Sequence, residues 1–338
     1  MKVKLEEVCE RGSSNLRQSD VEGKTGEYPI YGASGYIGNV DFYHQEKSYV
    51  AVVKDGAGIG RTMLLPAKSS VIGTMQYLLP KSNILPEYLC YVVKYMKLEK
   101  YFSGATIPHI YFRDYKNEEF NLDSLSKQER IVDILKRVET VIDNRKEELK
   151  MLDDLIKARF VEMFGDPIEN TQARPTTEFI NVVKLQRGFD LPVQDRQQDG
   201  EIPVYGSNGP LDRHNVAKVI GGGVITGRSG TIGNVYYTNN DYWPLNTTLF
   251  SVDMHGNNVI FIAFLLKMYD LSRFTEGTGV PTLNRNKFHN KQIINVPIEE
   301  QEQFAGFVAQ INKSKVVVQK ALDEAQLLFD SLMQKYFG

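Results

Sequence analysis

The run Gly56-Ala57-Gly58-Ile59-Gly60 follows the apolar stretch Tyr49–Val53, the place where a phosphate-cradling glycine loop sits after a strand. The chemistry does not carry through. The third glycine of a GxGxxG fingerprint falls on Arg61, and Thr62–Pro66 has strand rather than helix character. A related run, Arg228-Ser229-Gly230-Thr231-Ile232-Gly233, loses the spacing altogether. Both read better as tight hairpins whose glycines let the backbone approach a partner closely. Lys54 and Arg61 flank the first, and Arg228 begins the second. Other catalytic constellations fail in the same way. His44, His109, His214, His255 and His289 are scattered, with no metal-ligand spacing to a second His or Cys. No GxxxxGK[ST], GxSxG or HExxH occurs. Asp153-Asp154 lies on a charged helix face, where solvation is its ordinary fate. Nothing assembles a nucleophile, a base and an orienting group.

What remains is loop chemistry of another kind. One set comprises Ser34, Tyr36, Lys54, Arg61, Lys68, Thr106, His109, Arg113 and Lys116. A second comprises Asn208, Arg213, His214, Arg228, Ser229, Arg273, Thr278, Asn284, Arg285, Asn286 and Lys287. These side-chain types hold phosphates and read base edges. By themselves they serve an ordinary polar surface equally well. Composition limits the choice. The chain has 40 Lys and Arg against 42 Asp and Glu, a net charge of −2, so nucleic acid cannot be held by bulk charge. Residues 1–120 carry +1, 166–296 carry 0, and the two stretches 121–165 and 297–338 carry −1 and −2. Any nucleic-acid surface must therefore be local. The apolar fraction, 42%, excludes a disordered chain. Cys9 and Cys90 form neither a disulfide framework nor a CxxC site. The start shows no apolar h-region, and no run of about 18 apolar residues exists. A reduced, cytoplasmic location without membrane contact is expected.

The elements that position these loops come in two copies. Glu27–Gly35 (EYPIYGASG) recurs as Glu201–Gly209 (EIPVYGSNG), GAGIG as SGTIG, and Gly104–Ile110 (GATIPHI) as Gly277–Leu283 (GTGVPTL), at offsets of 173 to 174. Pro297–Gly338 aligns without a gap on Ser124–Gly165. So long a period indicates a duplicated domain rather than a solenoid. Each copy starts with a Gly-, Tyr- and Val-rich α+β part, 1–122 and 178–296, with helices expected over Ile84–Tyr101 and Val259–Phe274. Each ends in a long helix, 123–165 and 297–338, and residues 166–177 read as a linker.

The long helices carry apolar residues at spacings of four and three, or their sum of seven: Ile131, Leu135, Val138, Ile142, Leu149, Leu152 and Ile156 in one, Phe304, Val308, Ile311, Val318, Leu322 and Phe329 in the other. That is a coiled-coil seam. At about 1.5 Å per residue each helix spans roughly 57 Å, too long to bury its stripe in a domain of this size. The two helices are expected to pack on each other and space the globular parts. Arg145, Arg159 and Lys315 interrupt the seam. They either fix its register or lay their stems along its edge.

Leu125-Ser126-Lys127-Gln128-Glu129-Arg130-Ile131, the ending Phe160–Gly165, and their repeat from Pro297-Ile298-Glu299-Glu300-Gln301-Glu302 resemble the signature of type I restriction–modification specificity subunits. The YGASG, YGSNG, GATIP and GTGVP segments look like those of that family's target recognition domains. Ser124 stands where the family usually has proline. The resemblance implies an α+β fold of two target recognition domains joined by two long antiparallel coiled-coil helices. Each domain would read half of a bipartite double-stranded DNA target, with no catalysis in this chain. Modification subunits carrying S-adenosylmethionine, and restriction subunits using ATP and Mg, would be its partners. A fused methyltransferase or nuclease, and a coiled-coil adaptor without nucleic acid, are the competing readings. No methyltransferase N/D-P-P-Y/F motif occurs; Asn295-Val296-Pro297-Ile298 is not one.

Overall fold

The computed structural model describes residues 1–104, 108–277 and 281–338. The chain divides into two compact units: Met1–Lys146 with Lys320–Gly338, and Glu147–Gln319.

In the first unit, the strand Tyr49–Val53 is wholly buried. It lies in an antiparallel sheet ordered Cys9–Ser13, Met75–Pro80, Tyr49–Val53, Thr62–Leu65. Because successive side chains alternate across a strand, Val50 and Val52 face one apolar cluster with Tyr88 and Val92. Tyr49, Ala51 and Val53 face another with Tyr77 and Met75. Both faces are covered, so the strand reads as an unbroken apolar run. A three-stranded sheet is ordered Gly35–Val40, Tyr28–Gly32, Ser70–Val71. Lys2–Lys4 pairs with Glu119–Asn121. Helix α1 (Pro86–Met96) has proline in its first turn and ends at Lys97, whose φ is 50°. A 3-10 turn, Leu98–Tyr101, follows, so the expected helix is broken where one residue turns left-handed.

Helix α2 runs without interruption over Leu125–Phe164. The second unit repeats the plan. Its sheets are ordered Lys184–Arg187, Thr248–Asp253, Gly223–Gly227, Val235–Thr238, and Gly209–His214, Ile202–Gly206, Trp243–Pro244. Helix α3 (Val259–Tyr269) stops at Asp270, φ 51°, before a 3-10 turn. Thr176–Glu178 pairs with Gln292–Ile294, so a strand begins inside the stretch read as linker. Helix α4 spans Ile298–Phe337.

The long helices pack together antiparallel. In the first unit the start of α2 meets the end of α4, with Ile131, Val132 and Leu135 in one cluster with Phe329, Met333 and Phe337. In the second unit the end of α2 meets the start of α4, with Ile156, Phe160 and Phe164 beside Phe304 and Val308. Along the seam Ile131, Leu135, Ile142, Ile156, Phe304, Val308 and Val318 are buried, and Val138, Leu149, Leu152, Ile311, Leu322 and Phe329 half-buried. Toward the helix ends the stripe widens onto the globular core. There Phe337 meets Tyr88 edge-on at 5.2 Å, as Phe164 meets Phe261 at 5.1 Å. Lys315 crosses to Asp153 on the facing helix at 2.7 Å, while Arg159 pairs with Glu162 on its own helix and lies over the Phe307 ring.

The Gln-Glu pair of each helix start has a specific use. The buried Gln128 accepts from the Leu85 N–H and donates to the carbonyls of Asn83 and Asp123. Gln301 accepts from the Asn258 N–H and donates to Asn257 and Val296. Leu85 and Asn258 are the N-cap residues of α1 and α3, so each glutamine ties a long helix to the start of a short one. Every hydrogen-bonding group of these amides is engaged, as burial demands.

Candidate nucleic-acid interface

The glycine runs are hairpin ends. Gly56, Gly58 and Gly60 all have φ between 81° and 90°, and Thr62–Leu65 returns antiparallel to Tyr49–Val53. A Cβ on Gly60 would lie 2.7 Å from the Glu99 backbone nitrogen. The close partner is thus the protein's own 3-10 turn, and no helix follows to offer an anion site.

Two cations occupy equivalent positions just beyond the buried central strands. The Lys54 N–H donates to the Thr74 carbonyl at 3.0 Å, and the Lys54 carbonyl accepts from the Ile110 N–H at 2.9 Å. The Arg228 N–H donates to the Thr247 carbonyl at 2.8 Å, and its carbonyl accepts from the Leu283 N–H at 2.8 Å. The neighbours Asp55 and Ser229 also donate to Thr74 and Thr247. Lys54 Nζ pairs with Asp55 at 2.6 Å, and the same carboxylate takes His109 Nδ1 at 2.7 Å. Arg228 reaches the Asn246 carbonyl.

The remaining candidates of the first unit fall in several places. Ser34 and Tyr36 are exposed at the turn between Tyr28–Gly32 and Gly35–Val40, and Arg61 braces that turn through the Ala33 carbonyl at 2.9 Å. Lys68 is exposed in a turn with φ 54°. Arg113 lies over the Tyr111 ring at 4.6 Å. Lys116 is tied to Glu6 at 2.8 Å, drawing that carboxylate below its ordinary pKa. Thr106, like Thr278, lies outside the described residues.

In the second unit Asn208 and Arg213 are exposed on the Ile202–His214 hairpin, whereas His214 packs edge-on against Trp243. Ser229 bridges to Thr282. Arg273 stacks over Tyr269 and Phe274. Asn284 spends its side chain on the Asn286 N–H, capping the turn that carries Arg285. Lys287 is paired with Glu276 at 2.8 Å, which raises its pKa.

A family model for the type I restriction modification DNA specificity domain matches residues 1–152 and, separately, 174–324. The chain belongs to this family. Two solved structures are similar over their whole length. One is the S subunit of a type I restriction–modification system from M. genitalium, 16% identical, with a TM-score of 0.67 over 100% of this chain and 96% of that one. The other comes from work on complex assembly and conformational transition of the type I R–M system, 15% identical, with a TM-score of 0.58 over 99% and 97%. At such identities the likeness carries the fold. No curated protein matches.

The two specificity domains also reveal residues that sequence reasoning missed. In the first, a groove of about 340 Å³ is lined by Arg11, Ser13, Lys54, Gln76, Tyr111 and Arg113, among others. Arg11, Ser13, Gln76 and Tyr111 sit in or beside unremarkable strand and helix patterns, and only strand pairing brings Ser13 opposite Gln76. Among the described residues no cluster of His, Cys, Asp and Glu is arranged to hold a metal ion, and no helix is long and apolar enough to cross a membrane.

Proposed function

We propose that each unit reads one half of a bipartite duplex target, that the paired helices set the spacing between the halves, and that modification subunits dock on this chain. The chain does no chemistry in this scheme. S-adenosylmethionine belongs to the modification subunits, and ATP and Mg to restriction subunits where these join; the complex works in the cytoplasm. The equivalent placement of Lys54 and Arg228 carries the reading. Two cations occupy the same backbone position in two copies of one domain, each beside loops rich in Ser, Asn, Thr and Arg. Lys and Arg so placed would fix each domain on the phosphates, and neighbouring polar side chains would select bases. Two half-sites on one spacer multiply selectivity, because both must be in register together.

The test is a map of methylated positions in cells carrying the wild-type chain or the chain with the Asn208 or the Ser34 hairpin tip exchanged for alanines. Each exchange should relax one half of the target and leave the other intact. A map unchanged by both exchanges, or scrambled in both halves by either one, would sink the assignment.

A further inference from the structure

At the floor of the first unit's groove a buried polar pair has no counterpart in the second unit. The Tyr115 hydroxyl donates to Gln76 Oε1 at 3.2 Å, and both side chains are almost fully buried. Tyr115 follows Arg113 in the turn after Tyr111, as Phe288 follows Arg285 and Asn286. Gln76 pairs with Val52 and Ser13, as Leu249 pairs with Thr226 and Arg187. The equivalents of Tyr115 and Gln76 are therefore Phe288 and Leu249, at 0% and 2% exposure. The same fold closes these two positions with apolar side chains in one copy and polar ones in the other. Burying polar groups is the less favourable choice, and the fold does not require it.

What the polar pair provides is a fixed donor. With Oε1 accepting from Tyr115, Nε2 is the end of the Gln76 amide left to donate, and Gln76 lines the groove. The charged side chains lining that groove are Arg11, Lys54 and Arg113; Lys54 also pairs with Asp55 at 2.6 Å and Arg113 with Asp114 at 3.6 Å, carboxylates outside the lining. Arg113 is held in place by its stacking on Tyr111, while Arg11 is exposed on the rim.

We propose that this groove seats a phosphodiester segment of the DNA, with Arg11, Lys54 and Arg113 around the phosphate and Gln76 Nε2 donating to one of its oxygens. This rests on the DNA-reading assignment above and deepens it. A recessed amide ringed by cations suits a projecting anion. Base edges, themselves recessed in a duplex groove, are read by side chains that protrude. The first unit then anchors the backbone through a contact that the second unit lacks.

The test uses the chain assembled with its modification subunits, on target and unrelated duplexes, with single phosphates replaced by neutral methylphosphonates. The double variant Gln76→Leu/Tyr115→Phe copies the second unit's apolar pair, and Arg11→Ala alters only the exposed rim. The wild-type complex should lose about tenfold in affinity at one methylphosphonate position, the scale of a charge-assisted hydrogen bond. Both variants should lose about as much on unmodified target and unrelated DNA alike, with no further loss at that position. Unchanged affinity in Arg11→Ala or in the folded double variant overturns the seat. A loss confined to the target sequence also overturns it, since that is base reading. A wild-type complex that binds target and unrelated DNA equally overturns the DNA-reading assignment itself, whether or not one phosphate matters.

Discussion

The side-chain oxygen of Gln128 accepts the backbone N–H of Leu85 at 2.9 Å. That one bond satisfies a donor at the start of α1 and fixes where α2 leaves the first globular part. Helix starts expose N–H groups without intrahelical partners, and here a residue 43 positions away supplies one acceptor. Gln128→Ala should lower the stability of the first unit by about 1–3 kcal/mol, because it strands the Leu85 N–H and the Asn83 and Asp123 carbonyls. Denaturant titration followed from the first unit checks this. A loss below a few tenths of a kcal/mol would mean that water replaces the amide.

Phe337 should be as consequential as a residue in the centre of a core. It is buried against Tyr88 and Tyr95. Phe337→Ala should destabilise the first unit by about 3–5 kcal/mol while leaving the hydrogen-exchange protection of Gly223–Gly227 unchanged. Equal loss of protection in both units would show that they unfold as one.

Lys54 and Arg228 should both contribute to DNA binding, and Lys116 should not. Alanine at Arg228 should weaken the assembled complex on all duplexes and reduce the log–log salt slope by about one; alanine at Lys54, whose Nζ also serves Asp55, should reduce it by less. Lys116→Ala removes an exposed ion pair to Glu6, which contributes little to stability, and should leave the salt slope alone. Binding isotherms at several salt concentrations separate the two behaviours.

The second unit should lose stability in mild acid. Burial, and then the charges of Arg285 and Lys184, hold His289 below the ordinary imidazole pKa. Its Nε2 accepts from the Leu185 N–H at 3.3 Å, a role only the neutral ring can fill. Since the unfolded chain binds the proton first, stability is complete above about pH 6.5 and falls as pH drops from there toward the lower folded value. Melting between pH 7.5 and 5.5 should show the fall, and His289→Gln should flatten it. A wild-type melting temperature that rises on acidification would contradict the sign.

Much of this was legible in the chain. The repeat offset anticipates that both units share one plan, and the four–three spacing from Ile131 to Ile156 marks the face α2 buries. Phe160, Phe164 and Val132 escape that pattern because they meet the globular core as well as the facing helix, a double contact that spacing alone does not encode. The breaks at Lys97 and Asp270 also escape it, since each depends on a single left-handed residue with no glycine to announce it. For the site, the hairpin tips at Ser34 and Asn208 were readable from turn chemistry. Gln76 and Tyr115 were not, because a polar residue inside a strand declares itself only when its equivalent, Leu249 or Phe288, is set beside it.

The first unit is built from Met1–Lys146 and Lys320–Gly338, and the whole of the second lies between. On a ribosome the second unit is therefore fully synthesised before the first receives the segment that carries Phe329, Met333 and Phe337. Until then Tyr88, Ile131 and Leu135 have no cover from α4, and a nascent chain exposes that apolar surface throughout the translation of some 170 residues. Of the two units the one begun first is finished last, so a premature stop just before Lys320 would harm Met1–Lys146 more than the unit made in between.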